Sequence, residues 1–159
     1  QDESKDDGWL GSSIFAAHQG ITAIYAPPPI DLSAEKQNAD FLVQLIAARL
    51  VTAAHDISDG GLAVAVAEMT LHTPFGAHIN KPAAGNKHGW AFGEDQGRFI
   101  ITTSDAAALT KTAKSASIPV TKIGTVTSNA ELQFGDQDTI SVSELKFLSE
   151  SCLPKLMAG

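Results

Sequence analysis

Two polar loops flanked by glycine hold most of the side chains in this sequence that could do chemistry. The first covers residues 55–61, HDISDGG, and would sit between a strand and a helix. Backbone N–H groups and the positive end of the helix dipole would then lie beside the carboxylates of Asp56 and Asp59. The pattern is typical of a site for phosphate, held directly or through a divalent cation. The alternative is a structural turn in which Asp59 caps the helix.

The second loop covers residues 93–98, GEDQGR, at the entrance to another strand. Glu94, Asp95 and Gln96, with Arg98, could bind a polar ligand. The alternative is an exposed turn in which one of the two acids pairs with Arg98, a contact that contributes less than about 1 kcal/mol.

An earlier loop carries two hydroxyls, Ser12 and Ser13, and could line a ligand cleft. Its alternative role is a serine N-cap for a short helix at residues 14–18. The sequence has neither a Walker-type phosphate loop nor a GxGxxG run after a strand. Its five histidines show no metal-ligand spacing, and His55 is a weak candidate base.

The surrounding pattern predicts the elements that hold these loops. A short apolar strand at 50–54 should feed the first loop, and an Ala- and Val-rich helix at 62–69 should leave it, buried on nearly all sides. Asp31 should cap an amphipathic helix at 32–49. Further strands are predicted at 75–80, 99–103 and 118–126, a loop at 81–89, a helix at 106–116, a hairpin at 131–134 and 138–142, and a final helix from 143, broken near Pro154. This alternation predicts an α/β chain with a mixed sheet as much as a doubly wound one.

Composition narrows the function classes. The net charge is −7 and no basic cluster is present, which argues against nucleic-acid binding. No apolar run approaches the roughly 20 residues that span a bilayer. Cys152 is the only cysteine and cannot form an internal disulfide, so a reducing, cytoplasmic setting is the simplest expectation. Residues 1–7 are polar and acidic, which predicts a disordered tail or linker before a single domain at 8–159.

Several segments together resemble one family. Residues 55–69 (HDISDGGLAVAVAEM), 26–42 (APPPIDLSAEKQNADFL) and 92–103 (FGEDQGRFIITT) are similar, in order, to the phosphoribosylformylglycinamidine synthase family, in its small bacterial-type form. Residues 9–13 and 153–157 also resemble it. The family belongs to the aminoimidazole-ribonucleotide-synthetase-like (AIR-synthase-like) superfamily. The resemblance identifies this chain with the last C-terminal domain of a longer synthetase.

The resemblance implies an α/β domain, in α+β style, with a mixed sheet and helices packed on one side. It implies a ligase that converts formylglycinamide ribonucleotide, glutamine or ammonia, and ATP to formylglycinamidine ribonucleotide, ADP and phosphate, with Mg²⁺ bound. The partners it implies are sister domains of the synthetase, a glutaminase subunit, a small accessory subunit and the ribonucleotide substrate, with no nucleic acid and no membrane.

Carried over residue by residue, the resemblance makes Asp56 a Mg²⁺ ligand. Glu94, Asp95 and Gln96 occupy the place of a run that holds the ribonucleotide, with Asp95 where the family pattern has serine. The other candidate substrate or nucleotide-phosphate contacts lie in the loops already described: Ser12, Ser13, Gly60 and Gly61. Trp9 stands where a substrate-contacting glutamine is expected, which suggests an auxiliary nucleotide site without turnover. No catalytic residue is assigned here, because the family's catalytic histidine belongs to N-terminal domains.

Two other interpretations remain open. The chain could be a scaffold or pairing module with no ligand of its own, and an exposed apolar patch could make the isolated domain a homodimer. It could also be a relative resembling selenophosphate or thiamine-phosphate kinases, although the proline-rich lead-in and GEDQGR argue against that. If the chain is the last C-terminal domain of the synthetase, the isolated chain is expected to be inactive.

Overall fold

The computed structural model describes residues 9–11, 13–21, 27–136 and 138–158. The expected tail at 1–7 and Ser12 lie outside these ranges. The elements in chain order are α1 (Ile14–His18), α2 (Leu32–Ala47), β1 (Ala53–Asp56), α3 (Gly61–Thr70), β2 (Gly76–Ile79), α4 (Lys87–Phe92), β3 (Phe99–Thr102), α5 (Ala106–Ser115), β4 (Gly124–Thr127), β5 (Glu131–Phe134), β6 (Asp138–Ser141) and α6 (Val142–Ala158). Helices mixed with a sheet of both parallel and antiparallel pairs confirm the predicted α/β class.

The described chain divides into two compact units. The first takes residues up to 65 together with 82–122, and the second takes 66–81 together with 123–159. Each unit is therefore built from two separate stretches of sequence, and α3 passes from one to the other.

The first unit has its core between α2 and α5. Phe41 and Leu45 on α2 pack with Leu109 and Ala113 on α5. Each pair is spaced four residues apart, so its members share one helix face. Flanking apolar residues complete the cluster: Leu50, Val51, Ile101 and Ile118.

Carboxylate caps fix where these two helices begin. The Asp31 side chain accepts hydrogen bonds from the N–H groups of Ser33 and Ala34, both at 3.0 Å, as the sequence predicts. Asp105 accepts from the N–H of Ala108 at 2.8 Å and starts α5. Each cap satisfies N–H groups that the first helical turn leaves without partners.

The same unit holds a two-stranded antiparallel ribbon of β1 and β3. Ala53 lies opposite Thr102, and Asp56 lies opposite Phe99. The predicted strand at 50–54 is therefore placed too early. His55 and Asp56 belong to the strand because they pair with β3, although polar residues of this kind favour a loop.

The second unit contains a four-stranded sheet in the order β4-β2-β5-β6. Strand β2 pairs antiparallel with β4 and parallel with β5. Three of its four residues are buried, so β2 is the centre of this sheet. A Cβ at Gly76 would lie 2.0 Å from the carbonyl oxygen of Glu131, so the close approach of β2 and β5 requires glycine there.

The predicted hairpin is confirmed with strands β5 and β6 around Gly135. Gly135 has a φ of 65°, which suits a tight turn, and its N–H donates to Ile79 at 2.8 Å. Lys81 pairs with Asp138 at the same end of the sheet.

Three predictions about elements are wrong. Residues 87–92, placed within or beside the loop at 81–89, form helix α4, which Asn86 caps by accepting from His88 and Gly89. Residues 118–123 are not strand, and β4 begins only at Gly124. Helix α6 continues through Pro154 instead of breaking there.

The Ala- and Val-rich helix also differs from its prediction. Leu62, Ala65 and Val66 are buried, but Val64 is 37% exposed and Glu68 is exposed. Burial therefore covers one face of α3 and not nearly all sides. No helix in the described stretches is both long and apolar enough to cross a membrane.

Candidate functional site

The β1–β3 ribbon brings the two predicted loops together. Beyond the last strand pair, the N–H of Ile57 donates to the carbonyl of Arg98 at 3.0 Å. The loop leaving β1 and the loop entering β3 therefore run side by side. Sequence separation hides this neighbourhood, and antiparallel pairing creates it.

Glu94 joins three loops through one oxygen atom. Its Oε1 accepts the N–H of Gly60 at 2.8 Å and the N–H of Ile14, the first residue of α1, at 2.9 Å. A carboxylate bonded to two backbone N–H groups is a charge-assisted contact, stronger than a neutral one. The sequence singles out Glu94 as a candidate ligand contact, and in the structure this half-buried side chain bonds to two backbone N–H groups.

Gly60 and Gly61 are required by the backbone. Their φ values are 80° and 69°, in the left-handed region. A Cβ on Gly60 would lie 2.4 Å from a Val64 methyl, and one on Gly61 would lie 2.7 Å from the backbone of Phe92. The Gly61 N–H donates to the Ser58 carbonyl at 3.0 Å. These two N–H groups are therefore already bonded, whereas the sequence reading expected them to be free.

Asp95 pairs with Arg98 three residues later, a contact that the structural alternative for this loop includes. The Arg98 guanidinium also donates to the Gly93 carbonyl at 2.8 Å. These two contacts close the second loop on itself, so the Asp95 carboxylate is engaged inside the loop.

Gln96 is the exposed member of the same run. It borders a shallow open pocket against the start of α2, whose other lining residues are Pro29, Asp31, Ala34, Glu35, Asn38 and Gly97. Asn38 holds the rim in place by donating to the Gly97 carbonyl at 3.0 Å. Its polar lining residues carry carboxylate and amide groups, which suit hydroxyl, ammonium or hydrated-cation groups, and the rest of the lining is apolar.

Asp56 ends β1 with its side chain 65% exposed. The neighbouring His55 Nδ1 lies 2.6 Å from the Asp56 carbonyl and 3.6 Å from its carboxylate. Within the described residues, no three His, Cys, Asp or Glu side chains gather as a metal cage. Asp56 fits a Mg²⁺ ion only as one oxygen ligand among waters and substrate phosphates, a coordination common for that ion.

Ser13 is a structural cap. It is 2% exposed, its hydroxyl donates to the Leu10 carbonyl at 2.6 Å, and it accepts the Ala16 N–H at 3.1 Å. Both hydrogen-bonding roles of the hydroxyl are filled within α1 and its approach.

An aromatic stack is the feature that the sequence reading missed. The Phe15 ring lies 4.7 Å from Phe92 and 5.5 Å from His88, nearly parallel to both. The two α4 residues are four apart and face α1 together. Two features of the sequence could have predicted helix α4: Asn86 as an N-cap, and the four-residue spacing of His88 and Phe92. The glycines and Pro82 in the same segment favour a loop instead.

The chain is similar to known proteins along most of its length. A family model described as AIR synthase related protein, C-terminal domain, matches residues 3–137. Phosphoribosylformylglycinamidine synthase subunit PurL of Methylocella silvestris is 45% identical over 155 residues, covering 96% of this chain and 21% of that protein. The PurL subunit of Azorhizobium caulinodans is 42% identical, covering 98% and 21%. The chain thus spans about a fifth of the length of these curated relatives.

Solved structures share the fold at low identity. Thermotoga maritima PurL complexed with FGAR has a TM-score of 0.67 and 18% identity, covering 80% of this chain and 23% of that one. The PurLQS structure from the same organism has a TM-score of 0.63 and 17% identity, covering 86% and 24%. Thiamine-monophosphate kinase from Stenotrophomonas maltophilia has a TM-score of 0.53 and 18% identity, covering 76% and 45%.

Proposed function

Because this chain belongs to the family of AIR synthase related proteins, as their C-terminal domain, we propose that it works as one domain of phosphoribosylformylglycinamidine synthase. The observation that carries the proposal is the match to PurL subunits at 45% identity along almost the whole chain. The order of the two glycine-flanked loops, side by side at the end of the β1–β3 ribbon, is consistent with it.

The reaction proposed for the complete enzyme is a ligation. ATP and glutamine-derived ammonia convert formylglycinamide ribonucleotide to formylglycinamidine ribonucleotide, with release of ADP and phosphate. Solved T. maritima PurL structures are described as complexed with FGAR, ATP or ADP, which supports these ligands for the longer enzyme. A structure of PurLQS supports the proposal that further subunits, a glutaminase and a small accessory protein, assemble with it. The proposed setting is the cytoplasm.

Within that enzyme we assign Asp56 the role of a Mg²⁺ ligand and Gln96 that of a polar contact to ligand. Both side chains are exposed, whereas Glu94, Asp95 and Ser13 are held by internal hydrogen bonds or ion pairs. A bound Mg²⁺ would neutralise phosphate charge. In this chain, Asp56 would supply one oxygen at the end of β1, and the Asn38–Gly97 contact would keep the Gln96 rim in place.

The 159-residue chain alone is expected to show no ligase turnover, because no catalytic acid or base is assigned to it. The test is an assay of the purified chain with ATP, ammonia and formylglycinamide ribonucleotide, following ADP release. Turnover above the rate of a boiled-protein control would contradict this assignment.

The second candidate function is a scaffold module with no ligand of its own. It is favoured by the internal bonding of Glu94, Ser13 and Gly60, three of the candidate ligand contacts. Exposed apolar residues on α6, among them Phe147, Leu156 and Met157, favour self-association of the isolated chain.

Thermal unfolding with Mg-ADP separates the two functions. Ligand that binds the folded form raises Tm with its concentration. The ligand-site proposal expects a rise for wild type that Asp56→Ala loses and that Asp136→Ala, an exposed acid on the β5–β6 turn, keeps. An absent rise in wild type, or an equal rise in Asp56→Ala, supports the scaffold.

A further inference from the structure

The start of α3 is a backbone position that attracts anions, and a side chain of the protein already occupies it. Gly60 immediately precedes the helix, where N–H groups lack intrahelical partners and the helix dipole is positive. In the structure that N–H donates to Glu94 Oε1 at 2.8 Å. The carboxylate stands in the place that a phosphate oxygen would take at such a helix start.

The same oxygen accepts a second N–H, from Ile14 at 2.9 Å. The contacts span 34 and 80 positions in sequence, so Glu94 ties its own loop to two distant ones. The neighbouring N–H of Gly61 is also committed, to Ser58 at 3.0 Å. An external anion at this point would have to displace Glu94 and break both bonds.

The geometry points to a self-occupied anion position. We infer that Glu94 acts as an internal anion that closes the Gly60 and Ile14 N–H groups to phosphate. Glu94 is thus a positioning and blocking residue and not a ligand contact. This inference goes beyond the proposed function and does not depend on it, because a simple ion probes it.

Inorganic phosphate tests the inference on ¹⁵N-labelled chain. Phosphate is titrated while sodium chloride at matched ionic strength serves as the reference, and the Gly60 and Ile14 amide signals are followed. Wild type is expected to show no phosphate-specific change at either amide. Glu94→Ala, which vacates the position, is expected to show a saturable change at both.

Asp95→Ala is the matched control. It removes the same charge one residue away, but the Asp95 carboxylate contacts Arg98, whereas the Gly60 N–H donates to Glu94. Its Gly60 amide is expected to stay silent, as in wild type. A saturable Gly60 response in wild type or in Asp95→Ala overturns the inference, as does a folded Glu94→Ala whose two amides ignore phosphate. If Glu94→Ala does not fold, the wild-type titration decides alone: silence supports the closure and a response overturns it.

Discussion

Strands β1 and β2 have the same length and opposite environments. β2 lies between β4 and β5 with three of its four residues buried, whereas β1 pairs with β3 in the described ribbon and has three of four residues exposed. β2 ends next to a structural turn, and β1 ends at Asp56, the proposed metal ligand. The central strand of the larger sheet is buried and contributes to stability, whereas the exposed strand ends at the residue proposed to bind Mg²⁺.

The largest test of this contrast enlarges the side chain at the first residue of each strand, by one carbon in β2 and by two in β1. Gly76→Ala in β2 should destabilise the chain by about 4 kcal/mol or more, because the new Cβ would lie 2.0 Å from a Glu131 backbone oxygen and 2.5 Å from its nitrogen. Backbone cannot rotate away as a side chain can. Denaturant unfolding measures the change.

Ala53→Val is the matched variant in β1. Ala53 is exposed, and valine favours strand geometry, so its free energy of unfolding should stay within about 0.5 kcal/mol of wild type. Equal losses for the two variants would break the contrast between the strands.

A smaller effect is expected from the two residues that flank Ala77 across the sheet. Leu132 on β5 is 2% exposed, and Val126 on β4 is 50% exposed. Leu132→Ala should cost about 2 to 4 kcal/mol through lost burial and a cavity. Val126→Ala should cost less than about 1 kcal/mol. Chemical denaturation of both variants checks this, and a Val126→Ala loss as large as that of Leu132→Ala would show that burial does not set the cost.

The smallest effects concern the acids beside β1. Glu94→Ala leaves two backbone N–H groups without their carboxylate and should cost about 1 to 3 kcal/mol. Asp56→Ala removes an exposed side chain and should change stability by less than about 0.5 kcal/mol. Urea unfolding of the pair is the measurement. A large loss in Asp56→Ala would mean that Asp56 is structural, and would weaken its assignment as a ligand residue.

Local chemistry in the sequence predicts most helix starts and one turn. Asp31 and Ser13 cap helices where the sequence predicts a cap, because a cap is decided within three residues. Gly135 marks the hairpin for the same reason. The Asp95–Arg98 pair is likewise a short-range contact that spacing makes visible.

What the sequence did not reveal depends on distant partners. The Glu94 contact to Ile14 spans 80 positions, and no local pattern encodes it. Strand β1 reaches Asp56 because β3 supplies matching backbone groups. Pro154 lies in an exposed final turn region of α6, where the missing N–H leaves a carbonyl that water can reach, so the helix continues.

The position in the sequence of the two strands that pair with β2 constrains how the chain folds. Both strands that flank β2 lie roughly fifty residues later, and residues 82–122, which belong to the other unit, separate them from it. During synthesis β2 therefore stays unpaired until residues 124–134 have been made. The slow step of folding should be the closure of this long loop. Until then both edges of β2 are unpaired, and β2 is a segment that a chaperone could bind.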